Sequence, residues 1–118
     1  MSKENEREWR FYLEDMLEFA EKVCRYTEDC EQTEFAANEL IYDATLRNLE
    51  LIGEAATHVP ESVRSANSEI AWRQIIATRN RLIHGYLGID DDTLWSIITD
   101  DVPILLSALK RLLKQLER

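Results

Sequence analysis

The sequence has little of what several enzyme classes require. Its 118 residues include 3 Gly and 2 Pro, few for a β-protein with many turns. It has no Gly-rich phosphate loop and no Gly-x-Ser-x-Gly, which sets aside P-loop chemistry and the serine-hydrolase elbow. The 2 cysteines, Cys24 and Cys30, stand too far apart for a Cys-x-x-Cys motif. The 2 histidines, His58 and His84, show no Cys–His spacing of a zinc site, so no metal and no cofactor is expected. Free thiols point to a reducing compartment, and the cytoplasm is the expected location. No apolar run is long enough to cross a bilayer, and the N-terminus has no signal-peptide pattern, so no membrane partner is expected. A surplus of positive charge is also missing: the formal net charge is −9. Such a chain lacks the Lys and Arg that would release counterions from phosphates indiscriminately, and no DNA partner is expected. A local basic groove stays open. With neither an internal repeat nor a low-complexity linker, residues 1–118 are expected to form a single domain.

What is present is helical pattern. Trp9, Tyr12, Leu13, Met16, Leu17, Ala20, Val23 and Cys24 recur at three- and four-residue steps, predicting a helix from about Lys3 to Tyr26. A polar loop follows, and Thr33 with Glu34 can start a second helix that reaches His58. Its apolar stripe is wide, so burial on more than one side is expected. Gly53 inside it costs about 1 kcal/mol relative to Ala, a residue best kept where another backbone approaches closely. Pro60 ends this helix, and Glu61 to Glu69 reads as a polar loop with at most one helical turn. Ile70 to Ile83 gives a short third helix, with Gly85 suited to its C-cap. The run Asp90, Asp91, Asp92 looks like the start of a fourth helix; a divalent cation is the less economical reading. Pro103 inside that helix is expected to kink or split it, pushing Val102 from helical angles. The expected fold is all-α, a four- to five-helix up-and-down bundle.

One stretch gathers the chemistry: Arg79-Asn80-Arg81-Leu82-Ile83-His84-Gly85-Tyr86. Asn80 and His84 are four apart and share a helix face, with Arg79 on the flank. The cluster offers a fixed cation, a group that titrates near neutrality and an amide to orient it. Those parts suit cleavage of an RNA phosphodiester. Arg stabilises charge on phosphorus, His moves a proton, and the 2′-hydroxyl is the nucleophile. One chain supplies one suitable His, while this reaction wants an acid and a base, so an enzyme of this kind is expected to be a homodimer. Glu54, the lone acid in an apolar stretch, is either solvated or a partner for an arginine of this cluster. His58 is assigned to a helix end and not to catalysis. Arg47, Arg64, Arg73 and Arg81 are candidates for a basic rim, with Arg73 and Arg81 foremost for RNA binding.

The motif Arg79-Asn80-x-x-x-His84-x-Tyr86 resembles the Arg-x4-His-x-Tyr motif of HepT-like toxins in the HEPN superfamily of helical ribonucleases. Gly53-Glu54-Ala55 resembles that family's Gly-Glu-Ala helix, and Trp72, Trp95, Asp101, Val102 and Pro103 also match. The similarity runs from about residue 9 to residue 110. It implies a dimeric, metal-independent endoribonuclease toxin, with Arg79 and His84 catalytic and Asn80 positioning them. It also implies an antitoxin partner, a minimal nucleotidyltransferase that transfers AMP onto the motif tyrosine, here Tyr86. The strong acidity suggests a narrow RNA preference, such as tRNA, or weak affinity. A different class of reading is a non-catalytic HEPN module that binds a nucleotide or a protein. A third is a purely structural bundle whose Arg and His satisfy each other.

Overall fold

Helix α1 (Lys3–Thr27) buries the face that its spacing marks. Leu13, Met16, Ala20 and Val23 are fully enclosed, and Trp9 nearly so. The protein, seen in a computed structural model, is described over residues 3–84 and 89–117, and no strand occurs among these residues. Thr27 closes α1 by donating its hydroxyl to the Val23 carbonyl at 2.8 Å.

The expected second helix is in fact two, α2 (Gln32–Ala37) and α3 (Glu39–Thr57). The break is Asn38. Its backbone is extended (φ −95°, ψ 97°), and its Oδ1 accepts the Ile41 amide at 3.0 Å. A short amide side chain that satisfies a first-turn N–H competes with continuation of the helix. Helix α2 begins earlier than Thr33, because Glu34 accepts the Glu31 N–H at 2.9 Å and fixes the first turn there. Helix α3 is buried on several sides, as its wide stripe predicts: Leu46, Leu49, Ile52, Gly53 and Ala56 are all covered. It ends at Thr57 with His58 as cap, so Pro60 lies beyond the stop and leads into α4 (Glu61–Ala66), a short helix in the expected loop.

Helix α5 (Trp72–Ile83) packs on α3. Trp72 anchors its start, buried and donating Nε1–H to the Asn67 carbonyl at 3.0 Å. Helix α6 (Asp91–Ser96) starts as the Asp run predicts: Asp90 Oδ1 accepts the Thr93 amide at 2.7 Å. Bonds from the Thr93 backbone, then its hydroxyl, hold the Asp90 carboxyl below the usual carboxylate range. The expectation for Pro103 needs correcting. Val102 stays helical (φ −64°, ψ −43°) and donates to the Ile97 carbonyl five residues back. The residues Ile97–Asp101 form a π-helical turn, and Pro103 falls at the start of α7 (Val102–Leu116). The wide turn moves the donor demand away from Pro103, whose missing N–H then costs nothing at a first-turn position.

Four rods result: α1, α3, α5 and the α6–α7 stretch. The Tyr12 ring stacks on His58, setting the start of α1 beside the end of α3. Arg10 donates to the Leu116 carbonyl at 3.3 Å, setting the same end of α1 beside the end of α7. This is an all-α bundle with an up-and-down course.

Among the described residues, two core side chains bury a polar atom without a partner, Trp9 at Nε1 and Thr45 at its hydroxyl. Thr45 is fully buried, and its hydroxyl has no partner among the described residues. Thr45→Val keeps the shape and removes an unsatisfied donor. It should raise unfolding free energy by about 1 kcal/mol, read as a higher denaturant midpoint at unchanged slope. A lower midpoint would mean the hydroxyl has a partner after all.

Candidate active site

The site is built on the crossing of α3 and α5, and Gly53 permits that crossing. A Cβ at position 53 would lie 2.2 Å from the Arg79 Cβ, 2.8 Å from its Cγ and 3.1 Å from the Ile75 carbonyl oxygen. The stem of Arg79 therefore rests directly on the α3 backbone, the close approach that a mid-helix glycine predicts.

From that position the guanidinium is held on two sides. Nη2 reaches Glu54 Oε1 at 2.5 Å, and Nη1 donates to Asn80 Oδ1 at 3.0 Å. Arg79 Nε is buried with no partner among the described residues. A guanidinium has five N–H bonds, so one on each terminal nitrogen is left over for another group. The side chain keeps 26% of its surface exposed. Of the two readings of Glu54, the arginine partner is the observed one.

His84 caps α5. Its backbone (φ −87°, ψ 25°) leaves helical geometry, and its N–H bonds the Asn80 carbonyl at 3.2 Å. The imidazole is exposed and makes no hydrogen bond to another described residue. Asn80 thus touches both neighbours, Arg79 through its side chain and His84 through its backbone. The structure brings Arg79, Asn80 and Glu54 together by hydrogen bonds and places His84 at the C-terminal cap of α5. Gly85 and Tyr86 lie outside the described residues, and with them the expected glycine cap and the expected acceptor of AMP.

Arg73 and Arg81 are exposed on α5. Arg47 and Arg64 are occupied: Arg47 pairs with Glu50 at 3.3 Å, and Arg64 with Glu61 at 3.4 Å while donating to the Val59 carbonyl at 3.1 Å. The acidic partners lie one turn away on the same helix, a spacing visible in the sequence. Burial pushes the Cys24 thiol up, outweighing the opposing pull of Lys110, which disfavours the reactive thiolate. Among the described residues no group of three His, Cys, Asp or Glu side chains could hold a metal ion, and no helix is long and apolar enough to cross a membrane.

His58 is at the site's edge. Besides capping α3 and stacking on Tyr12, it sets Nε2 at 3.2 Å from Glu54 Oε2. The sequence signal for this contact was the i, i+4 spacing of Glu54 and His58 on one helix face.

Beside the site, α3, α5 and α7 leave an open apolar groove of about 260 Å³. Ile52, Ile75, Ile97 and Leu105 line it, and Ile104 on its wall is 65% exposed. Asp101 also borders the groove, its carboxyl pushed up by desolvation and then by neighbouring Asp100.

Residues 16–112 match a protein family described as ribonuclease HepT-like. Among curated proteins, the chain is 38% identical over 99 residues to one of Methanocaldococcus jannaschii named as a candidate RNase, covering 84% of this chain and 91% of that one. It is 33% identical over 108 residues to one of Thermococcus cleftensis named "Probable ribonuclease HepT", covering 92% and 98%. A second candidate RNase of Methanocaldococcus jannaschii is 31% identical over 111 residues, covering 94% and 96%. No solved structure matches the chain significantly.

Proposed function

The chain belongs to the HepT-like ribonuclease family, and on that premise we propose that it is a metal-independent endoribonuclease, the toxin of a toxin–antitoxin pair. The observation that carries the reading is the guanidinium of Arg79, fixed between Glu54 and Asn80 with two terminal N–H bonds to spare. A phosphate that accepts those two bonds meets a cation already oriented, which stabilises the charge that grows on phosphorus during attack by the 2′-hydroxyl. His84, exposed at the end of the same helix, moves the proton. Arg73 and Arg81, also on α5, take flanking phosphates. An acidic surface elsewhere suits a narrow substrate such as tRNA.

Of the two histidines, His58 is engaged by Glu54 and the Tyr12 ring, which leaves one His per chain for proton transfer, so the active unit is a homodimer whose two His84 side chains share a cleft and divide the acid and base roles. The apolar groove beside α5 supports this; its occupant is the second copy, with exposed Ile104 seated against it. The silencing partner is a minimal nucleotidyltransferase that places AMP on Tyr86. Two residues from His84, an adenylate adds bulk and negative charge that compete with RNA phosphate for Arg79.

A second reading has its own observation. Glu54 sits on Arg79, and the net charge is −9, so the motif could serve a nucleotide-binding or protein-interaction module without cleavage. The two separate in one experiment. Purified protein, shown by intact mass to carry no adenylate, is incubated with total RNA and tRNA in EDTA, and its solution mass is measured. Cleavage by a species of two chains is the expected result. Intact RNA with measurable nucleotide binding would favour the module, and cleavage by a monomer would remove the dimer.

A further inference from the structure

Glu54 uses both of its oxygens. Oε1 takes Arg79 at 2.5 Å, and Oε2 faces His58 Nε2 at 3.2 Å. An ionised carboxylate only accepts, so the His58 Nε2 must carry the proton and donate. The result is a continuous line of contacts from α1 through α3 to α5: Tyr12, His58, Glu54, Arg79, Asn80.

Exposure says what this line is for. The Glu54 and His58 side chains are 47% and 48% exposed, and pairs so open to water add little to stability. Their effect is directional. A glutamate this exposed, held at one oxygen, keeps its rotamer freedom and can turn its second oxygen onto the terminal nitrogens that face outward. Held at both, it presents a single oxygen to Arg79 and leaves the rest of the guanidinium edge free. His58 is itself fixed from behind, its ring 4.6 Å from that of Tyr12 and inclined by 15°, and from below by its position as the α3 cap.

We propose that His58 is a positioning residue for Arg79: by holding Oε2 of Glu54 it fixes the direction of the guanidinium that meets the scissile phosphate. This rests on the ribonuclease reading for its consequence in activity, but the coupling of His58 to Arg79 does not depend on it.

Two variants separate the ring from the donor. His58→Phe keeps a ring to stack on Tyr12 and removes Nε2–H. His58→Gln loses the ring and keeps an N–H within reach of Glu54. Two readouts are taken on each: the side-chain Nε–H resonance of Arg79 by NMR, and kcat and KM on RNA. For His58→Phe we expect a shifted or broadened Arg79 resonance and a kcat lower by up to about a hundredfold, the scale of a group misplaced by an ångström, with KM changed little. His58→Gln should restore most of both. In a Glu54→Ala background, His58→Phe should add nothing further, because the path through Glu54 is already cut. The proposal is overturned if His58→Phe leaves the Arg79 resonance and kcat at wild-type values. It is also overturned if the loss persists unchanged in the Glu54→Ala background, or if His58→Gln is as impaired as His58→Phe. If the wild type cleaves no RNA, the ribonuclease reading fails by itself, and the Arg79 resonance still decides the coupling.

Discussion

Replacing His84 with alanine is expected to lower RNA cleavage by roughly 10²- to 10⁴-fold, the range of a lost general acid or base, with the fold intact. The separation of activity from stability comes from the residue's position. The His84 imidazole is exposed and bonds no described residue, while its structural duty, the N–H bond to the Asn80 carbonyl at 3.2 Å, belongs to the backbone. Alanine makes the same bond. Exposed substitutions of this kind shift stability by less than about 0.5 kcal/mol, so the melting curve should overlay that of wild type. Initial rates on RNA at saturating and limiting concentration, beside a thermal melt, check both halves. An alanine variant that cleaves like wild type removes His84 from the chemistry and moves the weight to the binding-module reading. An Arg79 substitution is a less clean experiment, because it also frees Glu54 and empties the space over Gly53.

The second large effect is on the fold itself. Gly53→Ala sets two terms against each other. Alanine gains about 1 kcal/mol of helix propensity over glycine. Against this, its Cβ would stand 2.2 Å from the Arg79 Cβ and 2.8 Å from the Cγ. These atoms are the root of the side chain and not its mobile end, so relief requires α5 to move off α3. Forcing an extra carbon into a packed contact costs about 1–3 kcal/mol, occasionally more. At so short a distance the cost should exceed the propensity gain. We expect a melting temperature lower by several degrees, since each kcal/mol shifts a domain of this size by roughly 4 °C. Cleavage should fall as well, because moving α5 carries Arg79 away from Glu54. A larger residue such as valine should be worse than alanine. A Gly53→Ala protein as stable and active as wild type would show that the two helices do not meet there.

The candidate site was largely legible in one dimension, and the reason is local. Arg79, Asn80 and His84 sit within one and a half turns of a single helix, so their relation follows from helical geometry alone. Glu54 was left with two readings because its meeting with Arg79 spans 25 positions, and no spacing rule reaches that far. Gly53 beside it hinted at a close crossing without saying what crosses. His58 shows the opposite failure. Its spacing from Glu54 was visible, but a histidine at a helix end reads as a cap, and only the contacts from Tyr12 and through Glu54 to Arg79 give the ring a place in the site.

Helix boundaries divide in the same way. The length of α1, the wide burial of α3 and the Asp90 start of α6 follow from side-chain periodicity and from caps bonding three residues on, which are properties of the chain itself. The break at Asn38 and the path around Pro103 do not. At Asn38, one amide bond to Ile41 wins over continuation of the helix, a balance too fine for propensity to settle. At Pro103, the sequence said only that a normal helical bond is missing. A kink, a split and a π turn all meet that demand. The π turn is the solution observed: Val102 stays helical, and Ile98, Val102 and Leu105 are all buried. Periodicity thus determined that this chain is a helical bundle and which face of each rod is apolar. Tertiary packing decided what lies across from each polar group, because the partner's distance along the chain carries no information about its distance in space.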